Sequence, residues 1–316
     1  MFRNLVLFLI CCTLGACSKQ APSADKLERN LLMQLVFPSW KKQNKPQIQA
    51  LELDKKDGEI PEHLVAAAGE DRPGYLFEIL AEQLIRLDSN RAVLITSASP
   101  LDQQGESVSG HLSASLISAF WFKQVDGRWY ADGQQMQLDW LGASAFAGKS
   151  KVVKLSTNQF ALGVESSDCF DGECFTDLML YELGGEKVKS LLKHSIRIAA
   201  DTIGVRADCE QILKQPVNKV IRYHHAESAQ SSSNCVDVKS EWAIKANGKT
   251  PGDLLIRFSG FIEEQKTIEK IAADAGEEES TIVVDSILSP IKQQQLFRYR
   301  EGKYQLVSGK NPTPEF

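Results

Sequence analysis

Hydrophobic and polar positions alternate over most of the chain from residue 91 onward, and a period of two is typical of β-strands. The runs are short, they are rich in β-branched and aromatic residues, and turn residues separate them. The pattern predicts strands at residues 91–97, 119–125, 128–130, 151–155, 159–165, 176–183, 186–192, 219–225, 236–244, 254–262, 281–287 and 293–299. We therefore expect an all-β, antiparallel fold.

Tight turns join several of these runs. Asp126-Gly127 stands between aromatic and β-branched residues, and this dipeptide favours the two-residue hairpin turn because both central positions need positive φ. Thr157-Asn158 and Gly184-Gly185 divide the region 151–192 in the same manner, with a cysteine-bounded turn between them. Four short antiparallel strands with tight turns have the size of one propeller blade.

A weak internal repeat supports a blade arrangement. The segment from Phe122 to Trp129 aligns with the segment from Phe297 to Tyr304, since both join an aromatic strand, an acid-Gly-base turn and an aromatic return. The residues before Gly184-Gly185 are a looser copy. We predict meander blades in a propeller-like order, with a β-sandwich or a pair of β domains as the alternatives.

The first ninety residues read differently. Leu27, Leu31 and Leu35 recur at four-residue spacing, which predicts a short amphipathic helix before Pro38. Residues 75–87 fit a helix or a strand equally well. We divide the chain into residues 1–16, a signal peptide; 17–45, an anchor and tether, flexible over 18–25; 46–90, a mixed segment; 91–309, a β domain; and 310–316, a loose tail.

The amino terminus has the three parts of a secretory signal. Arg3 supplies a positive charge, residues 5–10 are apolar, and Leu14-Gly15-Ala16 lead to Cys17. The apolar run is too short for a membrane-spanning helix, which needs about 20 residues. This arrangement resembles the lipobox of bacterial lipoproteins, and the resemblance covers about the first 18 residues.

The resemblance implies that Cys17 carries a thioether-linked diacylglycerol and, after cleavage, an acylated amino group such as a palmitate amide. Ser18 follows the cysteine where this family often places Asp for retention in the inner membrane. The resemblance therefore implies a lipid-anchored protein of the outer membrane that faces the periplasm, or of the outer face of a single membrane in a Gram-positive source.

Charge narrows the choice of partners. Cleavage before Cys17 leaves 300 residues, and the loss of Arg3 leaves 35 basic against 41 acidic residues, a net charge of −6. Such a balance argues against a broad nucleic-acid surface. The hydrophobic fraction of 43% and charged fraction of 24% are ordinary for a globular protein.

Four cysteines remain in the mature chain beside Cys17, and an even number in an oxidising compartment predicts disulfides. Four cysteines allow three pairings. We predict Cys169–Cys174 and Cys209–Cys235, because each joins sequence neighbours and the first fits across a hairpin. The spacing does not match a redox-active pair that opens a helix or a zinc site.

Acidic residues gather around the first pair of cysteines. Asp168, Asp171, Glu173 and Asp177 flank Gly172, which invites a calcium hypothesis. The order of residues does not follow the EF-hand loop, so a solvated acidic turn is the preferred interpretation. A loop held by a disulfide loses less entropy on binding, and we predict Asp168, Asp171 and Glu173 as a contact surface toward a basic partner.

Catalytic signatures are missing from the sequence. There is no Gly-x-Ser-x-Gly or His-Glu-x-x-His motif and no phosphate-binding glycine loop. His224-His225, the one histidine pair, would point to opposite faces of a strand. The aromatic cluster at Trp121, Phe122, Trp129, Tyr130 and Trp140 is predicted to be mostly core.

The sequence thus predicts a membrane-tethered envelope lipoprotein that works as a binding module. We predict no catalytic residues, metal or cofactor. The partners would be the membrane, through the lipid, and another envelope protein or a cell-wall component. Inhibitor or immunity proteins and envelope assembly factors fit this description by analogy. The alternative is a hydrolase on an all-β scaffold, which would need a deep pocket with convergent polar groups.

Overall fold

The computed structural model describes residues 21–43, 45–54, 60–62, 64, 74–108, 113–144, 146–206, 208–226, 234–271 and 281–314. Of residues 224–226, 247, 270, 271, 281 and 282 only the backbone is described. The helices are α1 (Arg29–Val36) and α2 (Cys209–Ile212). The strands are β1 (Gln47–Leu51), β2 (Tyr75–Arg86), β3 (Arg91–Pro100), β4 (Ser115–Val125), β5 (Arg128–Leu141), β6 (Lys149–Lys154), β7 (Phe160–Phe170), β8 (Glu173–Glu182), β9 (Lys189–Ser190), β10 (Ile196–Asp201), β11 (Val220–Ala226), β12 (Val236–Asn247), β13 (Thr250–Ile271), β14 (Thr281–Arg300) and β15 (Lys303–Ser308).

The first sheet is an antiparallel meander in the order β1-β2-β3-β4-β5. Its strands β3 and β4 do not alternate between buried and exposed residues as the strands of a half-exposed sheet do. The first eight residues of β4, from Ser115 to Phe122, are all buried, because α1 covers one face of the sheet and the second sheet covers the other. This explains why the sequence of β4 is an almost continuous apolar run.

The second sheet contains ten strands in the order β11-β14-β13-β12-β10-β8-β7-β6, with β15 added to β14 and β9 added to β8. Its longest strands are β13 with 22 residues and β14 with 20 residues. Pro290 lies inside β14 opposite Phe261, so the two strands predicted at 281–287 and 293–299 are one. The region 151–192 forms the predicted four-stranded meander, although β9 is only two residues long.

Three apolar clusters hold the sheets. Leu32 and Met33 of α1 pack against Phe77, Phe120 and Trp129 of the first sheet. A second cluster fills the space between the sheets, and a third lies on the other face of the second sheet. Burial of apolar surface at about 25 cal/mol per Å² makes these clusters the main source of stability.

The aromatic cluster belongs mostly to this core, as predicted. Trp121, Phe122 and Trp129 are buried, while Tyr130 and Trp140 are half-buried. The choice between helix and strand for residues 75–87 is also settled, since β2 covers Tyr75–Arg86. β2 pairs with β1 and β3, and the edge partner β1 completes the sheet.

The all-β, antiparallel fold with a short N-terminal helix is confirmed. The propeller-like arrangement is not confirmed. Strands β8, β10 and β12 pair directly with one another, whereas a propeller would distribute them between separate blades. The continuous pairing joins all the described strands from β6 to β15 in one broad sheet.

Hairpin turns follow the predicted chemistry. Asp126 and Gly127 have φ of 48° and 78°, and Glu301 and Gly302 have φ of 51° and 82°. Both copies of the repeat therefore use the same turn, with positive φ at both central residues. Gly184-Gly185 differs, because neither glycine has positive φ.

The predicted division of the chain needs three corrections. Residues 24–40 are not a tether, because Ala24, Leu32, Met33, Phe37 and Trp40 are buried in the core. Residue 90 is not a domain boundary, because β2 and β3 on either side of it are paired. The tail at 310–316 is not loose as far as residue 314. Residues 227–233 and 272–280, which lie between predicted strands, are outside the described residues.

The tail packs against β10. The side chain of Asn311 donates a hydrogen bond to the carbonyl of Arg197 at 2.8 Å. The Arg197 guanidinium in turn donates to the carbonyl of Pro314 at 3.4 Å. These contacts fix the segment along the surface of the large sheet.

Candidate binding site at the end of the large sheet

The β7–β8 hairpin carries the predicted contact loop. Cys169 lies opposite Cys174 and the two form a disulfide, which we call the hairpin disulfide. Asp171 and Gly172 make the turn with φ of 49° and 86°. The sequence predicts a cysteine-bounded turn here, and the structure shows that it is the same two-residue turn as in the repeat.

The backbone of the turn lies directly against a second loop. A Cβ atom placed on Gly172 would fall 2.4 Å from the carbonyl carbon of Gly204. Such a distance is far shorter than a van der Waals contact, so the approach requires glycine. The turn is therefore supported from one side by the loop that follows β10.

That second loop is itself tied to the sheet. Thr202 is buried, its hydroxyl donates to the carbonyl of Asn234 at 2.8 Å, and it accepts from the amide of Val236 at 2.9 Å. The amide of Thr202 also donates to the carbonyl of Val236 at 3.1 Å. These bonds satisfy the polar groups of the loop where the chain leaves β10.

A buried ionic network continues from this loop. Arg206 is 8% exposed and its guanidinium binds Asp208 through two hydrogen bonds of 2.9 Å. Its remaining nitrogen donates to Glu263 of β13 at 3.0 Å, and Glu263 is fully buried. Paired fork geometry of this type is the strong form of an ion pair.

Glu263 accepts further hydrogen bonds. The amide of Cys235 donates to it at 2.9 Å, the side chain of Gln265 at 3.0 Å and the hydroxyl of Ser286 at 2.5 Å. With the bond from Arg206, the carboxylate has four donors, which compensates for its removal from water. Burial alone would lower the pKa of Arg206, but the hydrogen bond to Asp208 and the charge of Glu263 outweigh it and raise that pKa.

The second disulfide closes the same region. Cys209 at the start of α2 is bonded to Cys235 just before β12, and we call this the crossover disulfide. Both predicted pairings are thus confirmed. A carboxylate oxygen of Asp208 and the two sulfur atoms of this disulfide lie within 4.8 Å of one another. Sulfur atoms that are bonded to each other offer no thiolate to a metal ion.

The side chains at the end of the hairpin are exposed. Phe170 is 67% exposed and Ile203 of the supporting loop is 41% exposed, while Asp171 in the turn is also exposed. We call Phe170, Asp171 and Ile203 the tip surface. Phe170 has the highest exposed fraction of the large apolar side chains in the described residues, which makes the tip surface a candidate for contact with a partner.

The predicted acidic residues divide between two places. Asp168 and Glu173 are half-buried beside the tip surface, and Asp168 accepts a hydrogen bond from the amide of Cys169 at 2.7 Å. Asp177 lies farther along β8 and pairs with Arg197 at 3.3 Å. In the part of the chain that the structure describes, these carboxylates do not form a group of three close enough to hold one cation.

A further carboxylate lies behind the tip. Asp201 at the end of β10 faces Cys174 on one side and Asp237 on the other. Burial and the charge of Asp237 raise the pKa of Asp201, although the amide of Ile203 donates to it and acts in the opposite direction. Asp237 is itself paired with Lys239 at 3.1 Å.

A groove of about 910 Å³ opens at the opposite end of the sheet, where β12 turns into β13. Its carboxylate, Asp253, is engaged by Arg298 at 3.4 Å. Lys245, Thr250 and Tyr299 complete its polar lining. Burial raises the pKa of Tyr299, so this phenol stays protonated at neutral pH.

Sequence reasoning found the acidic residues of the hairpin and missed the apolar ones. The sequence does indicate that Phe170 lies at the end of a hairpin, because this residue directly precedes an Asp-Gly turn. It is also the one large apolar residue between the two cysteines. Arg206 and Glu263 are 57 residues apart, and no local pattern connects them. The side chains of His224 and His225 lie outside what the structure describes.

No protein-family model matches this chain, and no curated protein or solved structure matches it either. Within the described residues, no helix has the length and apolar character to cross a bilayer.

Proposed function

We propose that this protein is a lipid-anchored envelope lipoprotein and that it binds a macromolecular partner through the tip surface. The anchor is Cys17 of the lipobox, modified with diacylglycerol and palmitate. The partner is an envelope protein or a cell-wall component, met on the periplasmic side of the outer membrane. An inhibitory, immunity or assembly role fits such a module by analogy.

The observation that supports binding is the exposure of Phe170. An aromatic side chain that is 67% exposed costs free energy in water and gains it in an apolar pocket. Two disulfides and the Arg206 network hold the surrounding backbone before any partner arrives, so little entropy is lost on association.

The chemistry of the tip surface indicates the kind of partner. Phe170 and Ile203 need an apolar pocket, and Asp171, next to Phe170 in the turn, needs a positively charged or donor-rich rim. A partner surface with an apolar cleft bordered by Arg or Lys meets both demands. The carboxylates of Asp168 and Glu173 lie next to this contact and add to the negative field.

The test is affinity capture from envelope extract with the mature chain. Phe170→Ser should lose the bound partner, because truncation of a central aromatic residue costs about 2 kcal/mol or more, roughly a 30-fold loss of affinity. Phe146→Ser is the matched control, since Phe146 is 62% exposed but lies in the β5–β6 connection. Equal capture by both variants would exclude the tip surface.

The anchor and the absence of catalysis have separate tests. Cys17→Ser should abolish metabolic labelling with palmitate, and unchanged labelling would remove the lipoprotein proposal. Turnover of peptidoglycan, ester or phosphoester substrates by the mature chain would replace the binding function with the hydrolase alternative.

A further inference from the structure

The chain is fixed to the first sheet a few residues after the predicted anchor. Ala24 exchanges two backbone hydrogen bonds with Trp129, of 2.9 and 2.8 Å, and both residues are buried. The guanidinium of Arg128 donates to the hydroxyl of Ser23 at 2.8 Å. The position of the chain is therefore set from Ser23 onward at the start of β5.

The distance from this point to the anchor is short. Cys17 precedes Ser23 by six residues, and an extended chain covers at most about 3.6 Å per residue. A lipid on Cys17 thus lies within about 22 Å of Ser23. The end of the first sheet formed by the β2–β3 and β4–β5 turns is therefore the end that such a lipid holds within this distance of the membrane.

The chemistry of this end suits a phospholipid surface. The two turns, residues 86–91 and 123–128, contain four basic and two acidic residues in a chain whose net charge is −5. The basic residues, Arg86, Arg91, Lys123 and Arg128, are exposed. Val125 beside the Asp126-Gly127 turn is 46% exposed. Basic side chains near anionic headgroups contribute favourably to membrane contact.

The tip surface lies in the opposite direction. Near the end of β5, Asp139 accepts a hydrogen bond from the hydroxyl of Tyr181. Four residues closer to Arg128, Gln135 accepts from the amide of Val188 at 3.1 Å. Val188 lies beyond the end of β8 that is remote from the hairpin disulfide. Moving toward the anchor along β5 therefore means moving away from the tip along β8.

We propose that the anchored protein stands with residues 86–91 and 123–128 on the phospholipid surface and projects the tip surface away from it. This orientation depends on the lipid anchor at Cys17 that the proposed function includes. The path from one end to the other follows β5 from Arg128 to Asp139 and then β7 from Leu162, the partner of Tyr181, to Phe170. At about 3.3 Å per residue, these two segments add up to roughly 60 Å of strand length. The tip can thus reach partners well outside the headgroup region.

The experiment uses the full, lipid-modified chain in vesicles of phosphatidylethanolamine and phosphatidylglycerol at three to one. Photoreactive benzoylphenylalanine is introduced in place of Val125 in one variant and Phe170 in another, and crosslinking to radiolabelled phospholipid is measured. Both positions are exposed and apolar, so they form a matched pair. We expect at least tenfold more lipid crosslinking from position 125 than from position 170.

Two measurements separate the orientation from the anchor. Palmitate labelling and flotation with the vesicles report whether the chain is anchored. A chain that does not float contradicts the anchor, and the orientation fails with it. A chain that floats but crosslinks lipid equally from the two positions, or more from position 170, overturns the orientation and leaves the anchor standing.

Discussion

Removal of the Arg206 side chain should destabilise this protein more than any surface change near the tip. In Arg206→Met the carboxylate of Glu263 stays fully buried and loses its charged partner. The remaining donors, the Cys235 amide, Gln265 and Ser286, are neutral. Breaking a buried ion pair from one side costs about 3–5 kcal/mol.

Glu263→Gln is the informative second variant. The glutamine oxygen can still accept from the Cys235 amide, and the hydroxyl of Ser286 can rotate to accept from the new amide. Arg206 keeps its two bonds to Asp208. We therefore expect a smaller loss of about 1–3 kcal/mol. In the double variant the buried charge is gone, so the losses should be less than additive.

The assay is urea-induced unfolding at pH 7 with both disulfides intact. Lys214→Met is the control, because its ion pair with Glu210 lies in solvent, and its free energy of unfolding should match that of the parent. A loss below about 1 kcal/mol for Arg206→Met, or strict additivity in the double variant, would refute the claim that the network carries stability.

Three further outcomes follow from the same region. Gly172→Ala should cost at least about 1 kcal/mol more than Gly127→Ala in thermal unfolding, because both glycines have positive φ but only Gly172 touches neighbouring backbone. In the chain-entropy model, removing the crossover disulfide should lower the free energy of unfolding by about 3.5 kcal/mol and removing the hairpin disulfide by about 2 kcal/mol. Paired Cys→Ser variants test this order, and a larger loss from the hairpin disulfide would contradict the prediction. Because the pKa of Asp201 is raised in the folded state, the parent loses stability as the pH rises through that pKa. Asp201→Asn should therefore stabilise the fold at pH 7 and have no such effect at pH 3, where the carboxyl is protonated in both the folded and the unfolded state.

Local chemistry explains which parts of the fold were predictable. The Asp126-Gly127 hairpin follows from the positive φ that its turn demands, and the hairpin disulfide follows from the short spacing of its cysteines across a reversal. The Asp171-Gly172 turn has the same dipeptide and the same positive φ at both central residues.

Pairing between distant strands was not predictable. Strands β8, β10 and β12 are hydrogen-bonded side by side in one sheet. The local alternation of polar and apolar residues does not specify which strands pair, and the predicted propeller-like order does not contain this pairing. Residues 18–25 are polar, which predicts a flexible tether, but Ala24 forms backbone hydrogen bonds with Trp129, 105 positions away. In both cases a long-range contact decided the structure, and sequence periodicity describes only local preference.

The placement of the stabilising devices argues for function at the tip. The main apolar clusters lie between and beside the sheets, yet both disulfides and the Arg206–Glu263 pair meet at the end that carries Phe170. Well-packed apolar residues could supply equal stability in place of a buried ion pair. A crosslinked, charged arrangement instead fixes the backbone of Gly172 and Gly204 in one geometry. That is the property that a small exposed surface needs if it is to bind without reordering, and it gives the rigid hairpin a role that core stability alone does not require.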